Sequence, residues 1–177
     1  MLTMLILMAD GPEEKRKIEL LYEQYNKLMY KVAYNILNKH EDAEDALIAS
    51  WEKIIKHLDK INEIECQETK SFIVIIVERT SIDLYRKEAK RRKHHMYVDE
   101  WDEQPYMSTR DTELENVEIY EVMRKLPKKY AEALILYYVN GMKTAEIADV
   151  LKVKESVITK RLSRGRNYLR EELANDG

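Results

Sequence analysis

Residues 152–170 carry seven bases and one acid, Glu155. Within them Ser156, Thr159, Lys160, Ser163, Arg164 and Asn167 recur at three- and four-residue steps, so a helix would place them on one outer face. Hydroxyl, amide, ammonium and guanidinium donors grouped in this way suit phosphates and base edges. A second basic block, residues 86–93, holds six bases and one acid. Between the two, residues 99–121 hold nine acids and one base. The whole chain has 30 Lys and Arg against 33 Asp and Glu, a net charge of −3, which taken alone argues against a nucleic-acid binder. The segregation reverses that argument: two basic blocks split by an acidic one suit two contact surfaces on one polyanion.

Other chemistries find little support. There is no nucleotide-binding P-loop, no HExxH and no GxSxG, so no enzyme and no cofactor are expected. His57, Cys66 and the pair His94 and His95 lack metal-ligand spacing, and the acids of residues 42–45 lack the EF-hand pattern. No metal site is expected. A single Cys excludes an internal disulfide and fits a reducing compartment. The apolar start, residues 1–8, has no basic flank or cleavage site and is too short to span a membrane. It is expected to be a frayed leader, with a docking segment as the other reading. A soluble cytoplasmic protein without membrane insertion is expected.

Helices must carry these residues. With 4 Gly and 3 Pro in 177 residues, the composition argues against a turn-rich β fold, and 36% charged residues, against about 25% in an average domain, suit solvated helix surfaces. An all-α fold of two small domains joined by a linker is expected. Ile18, Leu21, Tyr25, Leu28, Met29, Val32 and Ile36 predict a helix over residues 13–38. Ala43, Leu47, Trp51, Ile54, Ile55 and Leu58 predict a second over 41–58, opened by acids that suit its dipole. Residues 61–71 have no period and read as a loop. Residues 72–77 are strand-like by propensity, but no turn signal follows, so one helix over about 69–93 is the simpler reading. Residues 94–111 read as an acidic linker. A helix over 112–126 follows, then one over 128–140 with Pro127 at its first position, Ala131, Leu134, Ile135 and Tyr138 inward, and Gly141 at its end. Tyr137 and Tyr138 read as core rather than as a stacking platform. Short helices over 144–151 and 155–173, joined by a three-residue break, form a helix-turn-helix. Ile147, Ala148 and Leu151 face inward on the first, Ile158, Leu162 and Leu169 on the second.

The runs EIADVL and VKESVITKRLSRGRNYL resemble the C-terminal helix-turn-helix of bacterial RNA polymerase sigma factors. LPKKYAEALILYYVNGM resembles the lead-in to it, YEQYNKLMYKVAYNILNKHEDAEDAL the first helices of sigma region two, and SFIVIIVERTSIDLYRKEAKRRK the promoter-melting helix. Two such domains in so short a chain resemble the extracytoplasmic-function subfamily. The resemblance implies a region-two-like domain over residues 13–93 and a region-four-like domain over 112–177. It implies a factor that binds core RNA polymerase through its β′ and β subunits, recognises −10 and −35 promoter elements and melts DNA. It also implies an anti-sigma partner, often membrane-anchored.

At residue level it assigns core polymerase binding to Asp42, Glu44 and Asp45, with Leu47, Ile48 and Trp51 as apolar contact area. The −10 strand falls to Asn62, Glu63, Gln67 and Thr69 in the loop and to Arg79, Asp83, Arg86, Lys87 and Lys90 on the helix behind it. The −35 duplex falls to Ser156, Thr159, Lys160, Arg161, Ser163, Arg164 and Arg166. The family often has Gln-Glu at Ile48 and Ala49, Asn at Arg79, a capping Ser or Thr at Lys143, and Gly at Lys152. A left-handed backbone at Lys152 would cost about 1 kcal/mol. The alternative is a helix-turn-helix regulator on operator DNA without a sigma role.

Overall fold

The computed structural model describes residues 1–91 and 122–175. The chain divides into two compact units, Met1–His95 and Met96–Gly177. Among the described residues every element is a helix or a helical turn, with no strand. The expected linker and most of the expected 112–126 helix lie outside the described residues.

In the first unit, α1 (Leu2–Ile6), α2 (Pro12–Leu37), α3 (His40–Lys56) and α4 (Gln67–Arg91) follow one another, with a 3-10 turn at Leu58–Lys60. Pro12 opens α2, where its missing N–H is not needed, and Glu13 and Glu14 follow in the first turn. Asn38, left-handed at φ 52°, ends α2, a conformation its short polar side chain tolerates. Ile18, Leu21, Tyr25, Met29 and Ala33 form the buried stripe of α2. Residues 72–77 are buried without exception, because α2 and α3 both pack on α4 and cover it. That two-sided burial explains a strand-like composition in a helix.

Two expectations are corrected here. Residues 2–6 are not frayed as expected: α1 packs on α2 and inserts Leu5, which is fully buried. The expected loop over residues 61–71 is shorter, since α4 begins at Gln67.

In the second unit, residues 122–124 are helical, and Met123 and Leu126 are buried. Pro127 caps α5 (Lys128–Leu134) rather than serving as its first residue. A π-helical turn, Ile135–Val139, replaces the expected continuation, with the Asn140 N–H donating to the Ile135 carbonyl at 3.1 Å. The extra residue in its turn changes the facing of the residues that follow. Ile135 and Leu136 are buried, but Tyr137 and Tyr138 are exposed, which corrects the expectation of a core pair. Gly141 then adopts φ +62°.

The helix-turn-helix comprises α6 (Thr144–Leu151) and α7 (Glu155–Asn175), both packed together, with α5 also against α7. Lys152 at the turn is left-handed, φ 53°. Its ammonium meets Asp149 at 3.1 Å, an exposed pair worth little. Lys152→Gly is therefore expected to stabilise the unit by about 1 kcal/mol or less, raising its melting temperature by a few degrees. A lowered melting temperature would show that the pair outweighs the backbone strain.

Candidate nucleic-acid and partner-binding sites

α7 separates its two sides cleanly. Ile158, Leu162 and Gly165 are buried, while Ser156, Thr159, Lys160, Ser163, Arg164 and Asn167 are exposed. Arg161 and Arg166 lie half-buried on the flanks. The Arg166 guanidinium donates from Nη1 to the Tyr138 phenol oxygen at 3.2 Å. Lys143 brings no side-chain cap to α6; the Glu146 carboxylate accepts its N–H at 2.8 Å instead. The Thr144 hydroxyl donates to the Glu155 carboxylate, tying the starts of α6 and α7 together. Sequence reasoning missed Gly165. A Cβ there would lie 2.9 Å from Leu134 Cδ1 and 3.3 Å from Tyr130 Cβ, so the glycine permits the close approach of α5 to α7. The result is a helix backed by α5 that presents donors along one side, a shape that enters a major groove.

In the first unit, Asn62 and Glu63 stand exposed in the segment before α4. This segment is held by donors directed at its carbonyls. Lys17 Nζ donates to Leu58 O at 2.8 Å and also to Ile61 O. The Tyr25 hydroxyl donates to Ile64 O at 2.5 Å, and Thr69 Oγ1 donates to Glu63 O. Lys17 and Tyr25 were missed as anchors because they are about forty residues away along the chain. Burial pushes the Tyr25 phenol up to about 12, with Cys66 and Glu65 adding to it. A raised pKa keeps the donor proton in place: its stabilisation is complete below the ordinary tyrosine value near 10 and is lost as pH rises through about 12. Lys17→Met leaves two carbonyls to find other donors and is expected to loosen this segment by about 1–3 kcal/mol. Amide hydrogen exchange at residues 58–66 would register that as faster exchange; unchanged rates would mean the anchors are dispensable.

Several −10 candidates change role. Thr69 is buried and turned to Glu63, and Gln67 lies in the first turn of α4 with its Nε2 3.4 Å from Ser71 Oγ. Arg79 is 5% exposed, covered by neighbouring helices, and does not stand on an outer face. Asp83 pairs with Lys87 at 3.2 Å, Arg86 is half-buried, and Lys87 is exposed. Lys90 lies in the last turn of α4.

The acids of α3 divide similarly. Glu44 and Asp45 are exposed, while Asp42 accepts from Lys39 at 3.2 Å. That contact holds the Lys39 ammonium pKa above its usual value. Ile48 is half-buried. Leu47 and Trp51 are buried in the unit's own core, which corrects the expectation that they offer contact area to a partner. Trp51 stacks on Tyr22 at 5.7 Å, and its indole N–H donates to Asn26 Oδ1 at 3.1 Å. Among the described residues, no group of three or more His, Cys, Asp or Glu side chains is gathered as a metal site, and no helix is long and apolar enough to cross a membrane.

Comparison with known proteins places these surfaces within two matched segments. Residues 21–91 match the family model for Sigma-70 region 2, and residues 116–169 match that for Sigma-70, region 4. The chain is 26% identical over 148 residues to the RNA polymerase sigma factor SigV of Bacillus subtilis (strain 168), spanning 83% of this chain and 85% of that protein. It is 26% identical over 166 residues to the ECF RNA polymerase sigma factor SigX of the same organism, spanning 88% and 82%. Among solved structures, the sigma factor RpoE, co-crystallised with the anti-sigma factor NepR from Bartonella quintana, matches with 19% identity and a TM-score of 0.40, over 92% of this chain and 98% of that one.

Proposed function

We propose, from the premise that this chain belongs to the sigma-70 family of RNA polymerase sigma factors and to its extracytoplasmic-function group, the following division of labour among its surfaces. The protein is a sigma factor acting in transcription initiation, with core RNA polymerase and promoter DNA as its partners. Its family is not one of enzymes, and we assign it no catalytic step. It works in the cytoplasm, where the polymerase is. The observation that carries this reading is the order of the two matches along one chain, each containing a surface of the expected chemistry.

Glu44 and Asp45, exposed on α3, are the acids offered to basic groups of the polymerase, with Asp42 beside them and Ile48 as partial apolar support. Asn62 and Glu63 are the side chains offered to an extruded base of the −10 strand. Extrusion costs a few kcal/mol of stacking and pairing, so the segment carrying them has to be held in advance. Lys17, Tyr25 and Thr69 hold it. Arg86, Lys87 and Lys90 supply positive charge to the phosphates behind. α7 reads the −35 duplex through Lys160, Arg164 and their neighbours. Good bidentate base contacts give about 1–3 kcal/mol of discrimination each, whereas phosphate contacts give affinity without sequence preference. An anti-sigma protein is the regulator this family membership assigns, membrane-anchored in many relatives.

The test is transcription with purified core polymerase on a library of double-stranded promoter fragments. Transcripts that depend on this protein and on a closed duplex support the reading. Activity confined to pre-melted templates would make it a polymerase adaptor that cannot open DNA. Binding to DNA as a dimer, with no polymerase binding, would make it an operator-binding regulator.

A further inference from the structure

We propose that Tyr138 and Arg166 together form a contact for a DNA backbone phosphate at the edge of the α7 recognition face. The inference rests on the reading of α7 as the −35 helix, and it adds a residue from outside the helix-turn-helix to that site.

Three observations lead to it. The π turn brings Tyr137 and Tyr138 out, to 38% and 55% exposure, directly after two fully buried residues, Ile135 and Leu136. Single π turns inside helices occur frequently at functional sites. The exposed phenol is not left to solvent alone, since Arg166 Nη1 donates to its oxygen at 3.2 Å. Tyr137 packs edge-on against the Tyr138 ring at 4.9 Å and 82°, which limits the ring's swing.

The proton inventory of this pair favours an anion. Arg166 uses one N–H on the phenol oxygen and keeps four, and the phenol keeps its own O–H. Both groups are therefore donors with unused protons, side by side, and one carries a fixed positive charge. A phosphate oxygen accepts from both. The position also fits. Arg166 lies three residues after Ser163 and four before Arg170, so these three side chains share one edge of α7. That edge includes the exposed Ser163 and borders the exposed Thr159, and Arg166 on it lies across the outer face from Arg164. A helix seated in a major groove brings its edges to the flanking phosphates and its centre to the bases.

The experiment uses the full chain loaded on core polymerase, with two short duplexes as probes, one selected for −35 binding and one scrambled. Tyr138→Phe removes only the hydroxyl and leaves the exposed ring. It is expected to weaken both duplexes equally, by about five- to tenfold, while leaving the salt slope unchanged. Arg166→Ala is expected to weaken both and to flatten the slope by about 0.9. In the Arg166→Ala background the further loss from Tyr138→Phe should shrink, because the two donors share one phosphate. Unchanged affinity in Tyr138→Phe, a loss confined to the selected duplex, or a full loss with Arg166 already absent would each overturn the proposal. Failure of the unsubstituted protein to bind either duplex would instead remove the −35 reading on which it rests.

Discussion

Trp51→Ala is expected to destabilise the first unit by about 3–5 kcal/mol, enough to unfold much of it at physiological temperature. The ring is fully buried, stacks on Tyr22 and donates to Asn26, so truncation leaves a cavity and an amide oxygen without its donor. Polymerase binding would then fail for lack of a folded unit rather than for lack of a contact. Asp45→Lys provides the contrast. Asp45 is exposed, so its reversal should leave urea unfolding of the unit nearly unchanged while weakening binding to core polymerase. Wild-type stability in Trp51→Ala would contradict the buried position. Full polymerase affinity in Asp45→Lys would remove the start of α3 from the interface.

Gly165→Val should destabilise the second unit by about 3 kcal/mol. The first added carbon would already meet Leu134 at 2.9 Å and Tyr130 at 3.3 Å, and Leu134 is fully buried with little room to move. The two γ carbons of Val extend the clash. Gly165→Ala should be far milder, because a better helix residue recovers about 1 kcal/mol and a terminal methyl of Leu134 is the nearest atom. Separate urea titrations of the two variants would check this grading. A Val variant as stable as the parent would mean that α5 and α7 do not approach so closely. Because α5 supports α7 from behind, the Val variant should also lose duplex binding, through the tilt of the recognition helix rather than through any donor.

The helices and the family membership were legible in the amino-acid sequence. Apolar residues at steps of three and four mark α2 and α3, and the absence of turn residues after residue 77 correctly extends a strand-like run into α4. The polar face of α7 was readable for the same reason: period 3.6 places Ser156, Thr159, Lys160, Ser163, Arg164 and Asn167 together, and all six are exposed. Periodicity states which residues share a face, but what covers that face depends on chain segments far away. Arg79 and Lys87 both look suited to DNA on α4, yet neighbouring helices bury one and leave the other exposed. Leu47 and Trp51 look like a contact stripe beside acidic residues, yet the first unit uses them for its own core. Lys17 and Tyr25 anchor a segment about forty residues away, a relation that no local pattern encodes. Tyr138 depends on a single π turn, which shifts the phase of one face without any change in residue type. Local spacing thus specifies the elements and their faces, while packing between distant segments settles which side chains reach a partner, because burial is a property of the neighbours and not of the residue itself.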